Sequence, residues 1–448
     1  MKTASVLIAS CLSLIATLVM SSAHSVRLKA DTLDHHPALD CGGEPCDAVV
    51  RGLRAFFDRR LAGLEANGRS CGDCHMATDR FQLSPASVEA RFRFIQFLRR
   101  WIPNADDPLF RPIDADDFRT NGANASDFSN LRQNGLIRIT FPLPSNMRLV
   151  DPATNAPSSE AFVDVWRMVP TVNDVALTGP DGSNPWPRGP NFFGGYQLDA
   201  RIGTLQEQAL GALTNHAQIQ HAAPQQLLDD LSSFQRVLFT NHRVRELSDA
   251  IRAGTTPLPD PDPPLNRLEE QGKVVFVRAC TQCHGGPRMS TATIPGVRFH
   301  DILSECPRPV DTVTPARFAF AACPPRLARN ARTYEIRLAN GTTVRRTSSD
   351  PGRALLTGFV GGPAPLDDWN KFDVPGLRGI SRTAPYFHNN SAATLEDVVD
   401  HYVEFFKRVK ANAAPGVVPP VATTDGVHFD RQPLPEEREP LLAYLRKL

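Results

Sequence analysis

The chain lacks a charge of either sign to spare: among 448 residues, 49 lysines and arginines stand against 48 aspartates and glutamates, a formal +1. That balance supplies no basic field for nucleic acid and no acidic tail. Beyond residue 20 no stretch approaches the roughly 20 consecutive apolar residues that span a bilayer, so no membrane span is expected in the mature chain. Histidine is missing throughout 76–215, which removes a common metal ligand from most of the first half. What remains is an ordinary globular composition, 41% hydrophobic, long enough for two or three domains with substantial cores.

The first residues carry a targeting pattern. Lys2 precedes an apolar run over 4–20, and the small residues Ser21, Ser22, Ala23 and Ser25 suit a signal-peptidase site. The pattern predicts a cleaved export signal over 1–25 and a soluble protein of the periplasm. Cys11 ends a lipobox-like Ile8-Ala9-Ser10-Cys11, but it stands in the middle of the apolar run, so a lipoprotein anchor is the minor alternative.

Eight cysteines remain in the mature chain, and four are arranged as Cys71-Gly-Asp-Cys74-His75 and Cys280-Thr-Gln-Cys283-His284. Both are C-x-x-C-H, the attachment signature of c-type haem. Two thiols three positions apart can each add to a haem vinyl group, and the histidine that follows can ligate the iron from the proximal side. A lone C-x-x-C also fits a redox disulfide or half of a zinc site. Two copies, each with its histidine, in an exported chain favour two covalently bound haems. Cys41 with Cys46 and Cys306 with Cys323 are left as an even set, expected to form two local disulfides in an oxidising compartment.

Residues 254–265 are proline-rich and suit neither helix nor central strand, so they read as a linker between an N-terminal haem 1 domain, 26–253, and a C-terminal haem 2 domain, 266–448. Within the first, 76–165 reads as a long insertion. Helices are predicted over 87–101, 267–279, from Thr394 onward and over 435–448, and a short strand over 136–141. The fold class expected is mainly α: two cytochrome c-like helical domains, each around one covalent haem, with long loops. Since 76–215 holds no histidine, Met76, Met147 or Met168 could supply a sixth ligand to haem 1, although methionine more often fills core.

Thr394-Leu-Glu-Asp397 resembles a capping box, and Leu395, Val398, Val399, Tyr402, Phe405 and Phe406 recur at spacings of three and four. This stripe predicts that Tyr402 faces inward, whereas Asp397, His401, Glu404 and Arg408 fall on the polar side. By periodicity alone Tyr402 could be a core tyrosine with a hydrogen-bonded hydroxyl.

Several further motifs stand in order: Val169-Pro-Thr-Val172, Asp199-Ala-Arg201, Thr204-Leu-Gln-Glu-Gln-Ala-Leu-Gly211 with Asn215, and Pro375-Gly-Leu-Arg378 followed by Thr383-Ala-Pro-Tyr-Phe-His388. With the two C-x-x-C-H sites they resemble the bacterial di-haem cytochrome c peroxidases and their MauG-type relatives, from about residue 65 to the end, outside the insertion. The resemblance implies that haem 1 meets peroxide or oxygen, while haem 2 exchanges electrons with a donor cytochrome c, a small copper protein of the cupredoxin type or a protein substrate. It also implies a calcium ion between the domains, with Thr383, the carbonyl of Pro385, and Asn173 or Asp174 as its oxygen ligands.

The departures from that pattern are specific. Gln208 matches the distal glutamine of the family, but the distal glutamate position falls on Gln218, and an amide is no general acid or base at neutral pH. The inter-haem tryptophan position is Leu198, which cannot be oxidised; Trp186, in a nearby loop, reads as a packing residue. Fourteen positions beyond His388, where peroxidases carry a methionine ligand of haem 2 and MauG a tyrosine, stands Tyr402. A tyrosinate there would stabilise ferric and higher oxidation states. Three functions remain open: a MauG-like or peroxidase-like oxidoreductase, a non-catalytic di-haem electron carrier, and a di-haem oxygenase of the rubber-oxygenase type.

Overall fold

The computed structural model describes residues 41–179, 195–290, 299–307, 323–362, 367–412, 433 and 435–448. The export signal, Cys11 and Trp186 lie outside them. The main helices are α1 (Cys46–Phe57), α2 (Pro85–Arg99), α3 (Leu205–Asn215), α4 (Gln225–Arg236), α5 (His242–Ala253), α6 (Arg267–Ala279), α7 (Leu395–Asn412) and α8 (Arg438–Leu445). The strands used below are β1 (Leu136–Pro142), β2 (Met147–Leu149), β3 (Phe162–Met168), β4 (Arg332–Arg337) and β5 (Thr343–Ser348).

Each half is organised by one close helix crossing. In the first, α1 buries Ala48, Val49, Gly52 and Phe56. The absence of a side chain at Gly52 lets α4 approach, because a Cβ there would stand 1.9 Å from the Asp230 carbonyl oxygen and 2.8 Å from Phe234 Cβ. In the second half α6 is opened by a capping box, with Asn266 and Glu269 each bonding the other's amide. Here Gly272 plays the same part: a Cβ would lie 1.9 Å from the Pro440 carbonyl oxygen and 2.8 Å from Tyr444 Cβ on α8. Around these crossings sit two separate apolar cores, one with Phe56, Leu213, Leu231 and Phe234, the other with Phe276, Leu395, Val399, Leu442 and Tyr444. The architecture is mainly α, with one helical core in each half.

The halves also repeat one another in sequence. Tyr196 and Ile202 form an isolated antiparallel bridge, as do Tyr386 and Ala392, each 190 positions later. The turns between them share backbone form, with positive φ at Gln197 and Ala200 (77° and 55°) and at Phe387 and Asn390 (68° and 55°). Thr204 then accepts from the Glu207 amide to start α3, and Thr394 accepts from the Asp397 amide to start α7. Val169-Pro170 and Val374-Pro375 are a second matching pair.

The sequence pattern predicted helices at 87–101, 267–279 and 435–448 and a strand at 136–141, and these elements are present within a few residues of those bounds. It did not foresee the sheets. β1 pairs antiparallel with β3, Leu136 opposite Met168, and β2 joins β4 and β5 in a three-stranded sheet. Asn340-Gly341 between the two β-branched runs of β4 and β5 is a hairpin signal that went unread. The 76–165 segment is consequently no isolated insertion. Phe141, Met147, Leu149 and Val165 share one core with Tyr334, Ile336, Leu355 and Trp369. Arg167 on β3 ties the halves further: it is buried between Asp199, at 2.5 Å, and Asp350, at 2.6 Å.

Residues 254–265 are irregular, as their prolines require. They are no free tether, because buried Asp262 accepts from the Tyr444 hydroxyl at 2.9 Å and pairs with Lys273 at 2.8 Å and Arg378 at 2.5 Å.

Gly272→Ala should lower stability by about 1–3 kcal/mol, the cost of overpacking a closed crossing. Gly211→Ala on α3, where a Cβ meets nothing within 4 Å, should be neutral or stabilising by up to about 1 kcal/mol. Calorimetric unfolding midpoints of the two variants check the contrast; equal midpoints would sink this account of the crossing.

Candidate haem sites

The first motif is a single helical turn, Cys71–Cys74, shaped by its neighbours. Asp73 is buried, accepts from the Ser70 amide at 2.9 Å and pairs with Arg59 at 2.6 Å and Arg91 at 2.9 Å. Gly72 faces the Phe57 ring so closely that a Cβ would come within 2.3 Å of it. The second motif forms the turn Thr281–His284 directly after α6.

All four motif cysteines are unbonded, whereas Cys41 is bonded to Cys46 and Cys306 to Cys323. Burial pushes the Cys71 thiol up to about 12, with Cys74 adding to it, and burial likewise holds Cys74 at about 11 and Cys280 and Cys283 at about 12. A redox dithiol needs a depressed pKa to be reactive, so these environments disfavour that reading. Nor do the described residues hold a cluster of three or more histidines, cysteines or carboxylates that would suit zinc.

Both histidines are oriented alike. His75 Nδ1 lies 3.0 Å from the Phe81 carbonyl, with the Pro170 carbonyl beside it. His284 Nδ1 lies 3.3 Å from the Met289 carbonyl and 3.1 Å from that of Pro375. The matching Val-Pro pairs thus supply the same acceptor in each half. Burial lowers the pKa of both rings against these carbonyls, His284 to about 4. Neutral imidazoles with Nδ1 engaged present Nε2, the arrangement of histidines that ligate iron. Thiols and imidazoles together fit two haems attached through Cys71, Cys74 and His75 and through Cys280, Cys283 and His284.

α7 begins where the capping box predicted. Thr394 and Asp397 exchange hydrogen bonds at 3.0 and 3.2 Å, and Leu395, Val398, Val399 and Phe406 are buried. Tyr402 packs against the same core beside Phe387, Phe405 and Phe406. Burial pushes its phenol up, with Cys283 and Cys280 adding to the push, so the ring stands at the second motif. His401 does not point to solvent as the stripe implied. It is 7% exposed, its Nε2 lies 2.7 Å from the Ile302 carbonyl, and its ring rests on Phe387. Glu404 is buried too. The segment around Ile302 covers the flank that a one-sided helical wheel leaves to water. Arg408's side chain lies outside the described residues.

Around the first motif, Gln208 is half-buried on α3, and Gln218, just beyond it, accepts from Asn67 Nδ2 at 3.0 Å. By the 190-residue repeat the counterpart of Tyr402 is Ala212. The methionines considered for haem 1 are packing residues. Met147 lies in the sheet core, 3% exposed, Met168 beside Trp166 and Cys306, and Met76 against Leu83 and Val88. A histidine was overlooked: His216 follows the histidine-free stretch immediately, and its ring lies near enough to His75 to feel its charge. The repeat register, had it been drawn, would have marked it.

Of the calcium candidates, Asp174 is buried with both carboxylate oxygens accepting from Thr240, at 2.8 and 2.5 Å. Asn173 donates to the Arg80 carbonyl at 3.3 Å, and the Thr383 hydroxyl to the Ile380 carbonyl at 3.3 Å. Pro385 follows a cis peptide bond. Leu198 is half-buried, and its carbonyl accepts from the Asp373 amide at 2.9 Å.

No family model matches the chain. A curated relative, cytochrome-c peroxidase IdrP2 of Denitromonas iodatirespirans, is 32% identical over 145 residues, 31% of this chain. The match spans about a third, 32%, of that relative's length. Among solved structures, a MauG-like protein associated with microbial copper homeostasis shares 18% identity at a TM-score of 0.41, covering 94% of this chain and 95% of that one. The diheme peroxidase BthA from Burkholderia thailandensis E264 shares 17% at a TM-score of 0.42, covering 90% and 86%. Over about a third of its length the chain is similar to a cytochrome-c peroxidase.

If both motifs carry haem, Cys71→Ser with Cys74→Ser should leave one covalent haem per chain, as should Cys280→Ser with Cys283→Ser. Haem content per chain by the pyridine haemochrome assay, from two to one in each double variant, is the measurement; an unchanged content would refute the assignment.

Proposed function

We propose that this chain is a periplasmic di-haem c-type cytochrome acting as a peroxidase-like, MauG-like oxidoreductase, in which peroxide or oxygen reacts at haem 1 and electrons pass through haem 2. The observation that carries the reading is the asymmetry at one repeated position: Ala212 in the first half, Tyr402 in the second. When bound, each haem supplies an iron that exchanges electrons and, where a coordination position is open, takes a small oxygen ligand.

The residues of the chain do the rest. Cys71, Cys74, Cys280 and Cys283 would anchor two haems, and His75 and His284 would hold their irons. The carbonyls bonded to Nδ1 of each histidine fix its tautomer and raise its donor strength. Tyr402 would hold the second iron through its phenol oxygen, and a tyrosinate there would favour the oxidised state. Ala212 leaves room above the first. Gln208 lines that pocket, while Gln218, bound to Asn67, positions the loop and moves no proton.

A calcium ion held by Thr383, the Pro385 carbonyl and Asn173 would join the halves; Asp174 is the weaker candidate, since Thr240 takes both its oxygens. Electrons would come from a donor cytochrome c, a cupredoxin or a protein substrate. No helix among the described residues is long and apolar enough to cross a membrane. The amide at Gln218 favours a second reading, an electron carrier with both irons six-coordinate.

Optical spectra of the oxidised protein with and without stoichiometric peroxide separate the two readings. The oxidoreductase predicts that haem 1 alone is five-coordinate or water-bound and changes at once on adding peroxide. Tyr402→Phe should shift the haem 2 spectrum and leave haem 1 in place. Two low-spin haems inert to peroxide and to oxygen would leave only the electron carrier.

A further inference from the structure

His216 ends α3, its amide donating to the Ala212 carbonyl at 2.9 Å. Its own carbonyl accepts from Asn67 Nδ2 at 2.9 Å and lies 3.5 Å from Arg69 Nη1, so its backbone is fastened to the segment that leads into Cys71. The imidazole Nδ1 is buried and has no hydrogen-bond partner among the described residues. A buried polar nitrogen without a partner is unfavourable unless another group meets it, such as a ligand bound beside it. The charged groups around the ring are Asp114, Arg69, Arg201 and His75. Arg69 is fully buried and satisfied by Asp114 at 2.5 Å and by the carbonyls of Pro108 and Leu109, at 3.0 and 2.7 Å. Arg201 is held by Asp199 at 2.6 Å. None of these takes up the free nitrogen.

His75 Nδ1 faces the carbonyls of Phe81 and Pro170, so its Nε2 faces away from them, and the His216 ring lies close enough to interact with it electrostatically. Between Ala212 and His216 lies one helical turn, and the small Ala212 side chain leaves that side open. The repeat gives His216 a counterpart in Phe406, which is buried in the apolar core. A titratable side chain therefore stands at this position in the first half and a hydrocarbon ring in the second.

The geometry points to His216 as the distal imidazole of the first haem pocket, a nitrogen that hydrogen-bonds a protonated small ligand arriving at the sixth position of the His75-held iron and accepts its proton. It takes over the proton transfer that the amide of Gln218 cannot perform. The inference rests on the reading that Cys71, Cys74 and His75 hold a haem. With hydrogen cyanide as the probe the step balances without redox change: the H–C bond breaks, the proton passes to the imidazole and the carbon lone pair binds ferric iron.

The test is the association rate of cyanide with the first haem of the ferric holoprotein at neutral pH, in the natural chain, His216→Ala and His216→Gln, with haem content measured on each. Both variants should retain two haems and bind cyanide at least about ten-fold more slowly, because glutamine can hydrogen-bond but accepts no proton. Added free imidazole should restore part of the rate in His216→Ala. Rates within about two-fold of the natural chain in either variant would overturn the proposal. So would a first haem that is low-spin in the natural chain and turns high-spin in His216→Ala, since His216 would then ligate the iron directly. Absence of a haem at the first motif of the natural chain would instead defeat the underlying reading and is seen in the haem content alone.

Discussion

Two imidazoles, His284 buried and His75 half-buried, each with one nitrogen bound to backbone carbonyls of its own half, are the constraint around which the structure is arranged. His75 uses the carbonyls of Phe81 and Pro170, and His284 those of Met289 and Pro375. A buried neutral ring with a fixed tautomer can offer only its other nitrogen, so direction is settled before any iron arrives. The Val-Pro segments must therefore be delivered to the motif turns. The glycine crossings at Gly52 and Gly272, which bring the helices of each half into contact, build the cores against which those turns pack.

The repeat explains how one design yields two different sites. Bridges, positive-φ turns and threonine caps recur at a spacing of 190 residues, so both halves present a helix with the same start and the same approach. On that common scaffold only side chains differ. Ala212 and His216 stand in the first half where Tyr402 and Phe406 stand in the second. On the proposed reading the small Ala212 and the His216 imidazole leave the first site open to a ligand and its proton, whereas Tyr402 and Phe406 close the second. The halves are held in register by the shared sheet and by Arg167 between Asp199 and Asp350. A charge so deeply buried is strongly unfavourable without its partners, which fixes the Asp199 turn against the other half.

Much of this was legible in the sequence, for identifiable reasons. The C-x-x-C-H motifs are read directly because thioether chemistry permits few alternatives. The α7 cap and stripe are local patterns, and they placed Tyr402 correctly. His401 failed because helical periodicity knows one buried face, and here the chain around Ile302 covers a second. The hairpin of β4 and β5 was announced by Asn340-Gly341, yet its partner strand β2 comes from nearly two hundred residues upstream, a pairing no local pattern contains. His216 stands immediately beyond the histidine-free stretch, and no local pattern sets it apart; only the long-range repeat matches it to a position on the helix of Tyr402.

The central claim is that the two irons stand in unlike surroundings, one open and one closed by Tyr402. Low-temperature electron paramagnetic resonance of the fully oxidised protein, with and without fluoride, tests it most directly. The account predicts two distinct ferric signals, one altered by fluoride and the other, from the tyrosine-bound iron, untouched. Two equivalent signals, both inert to fluoride, would contradict it.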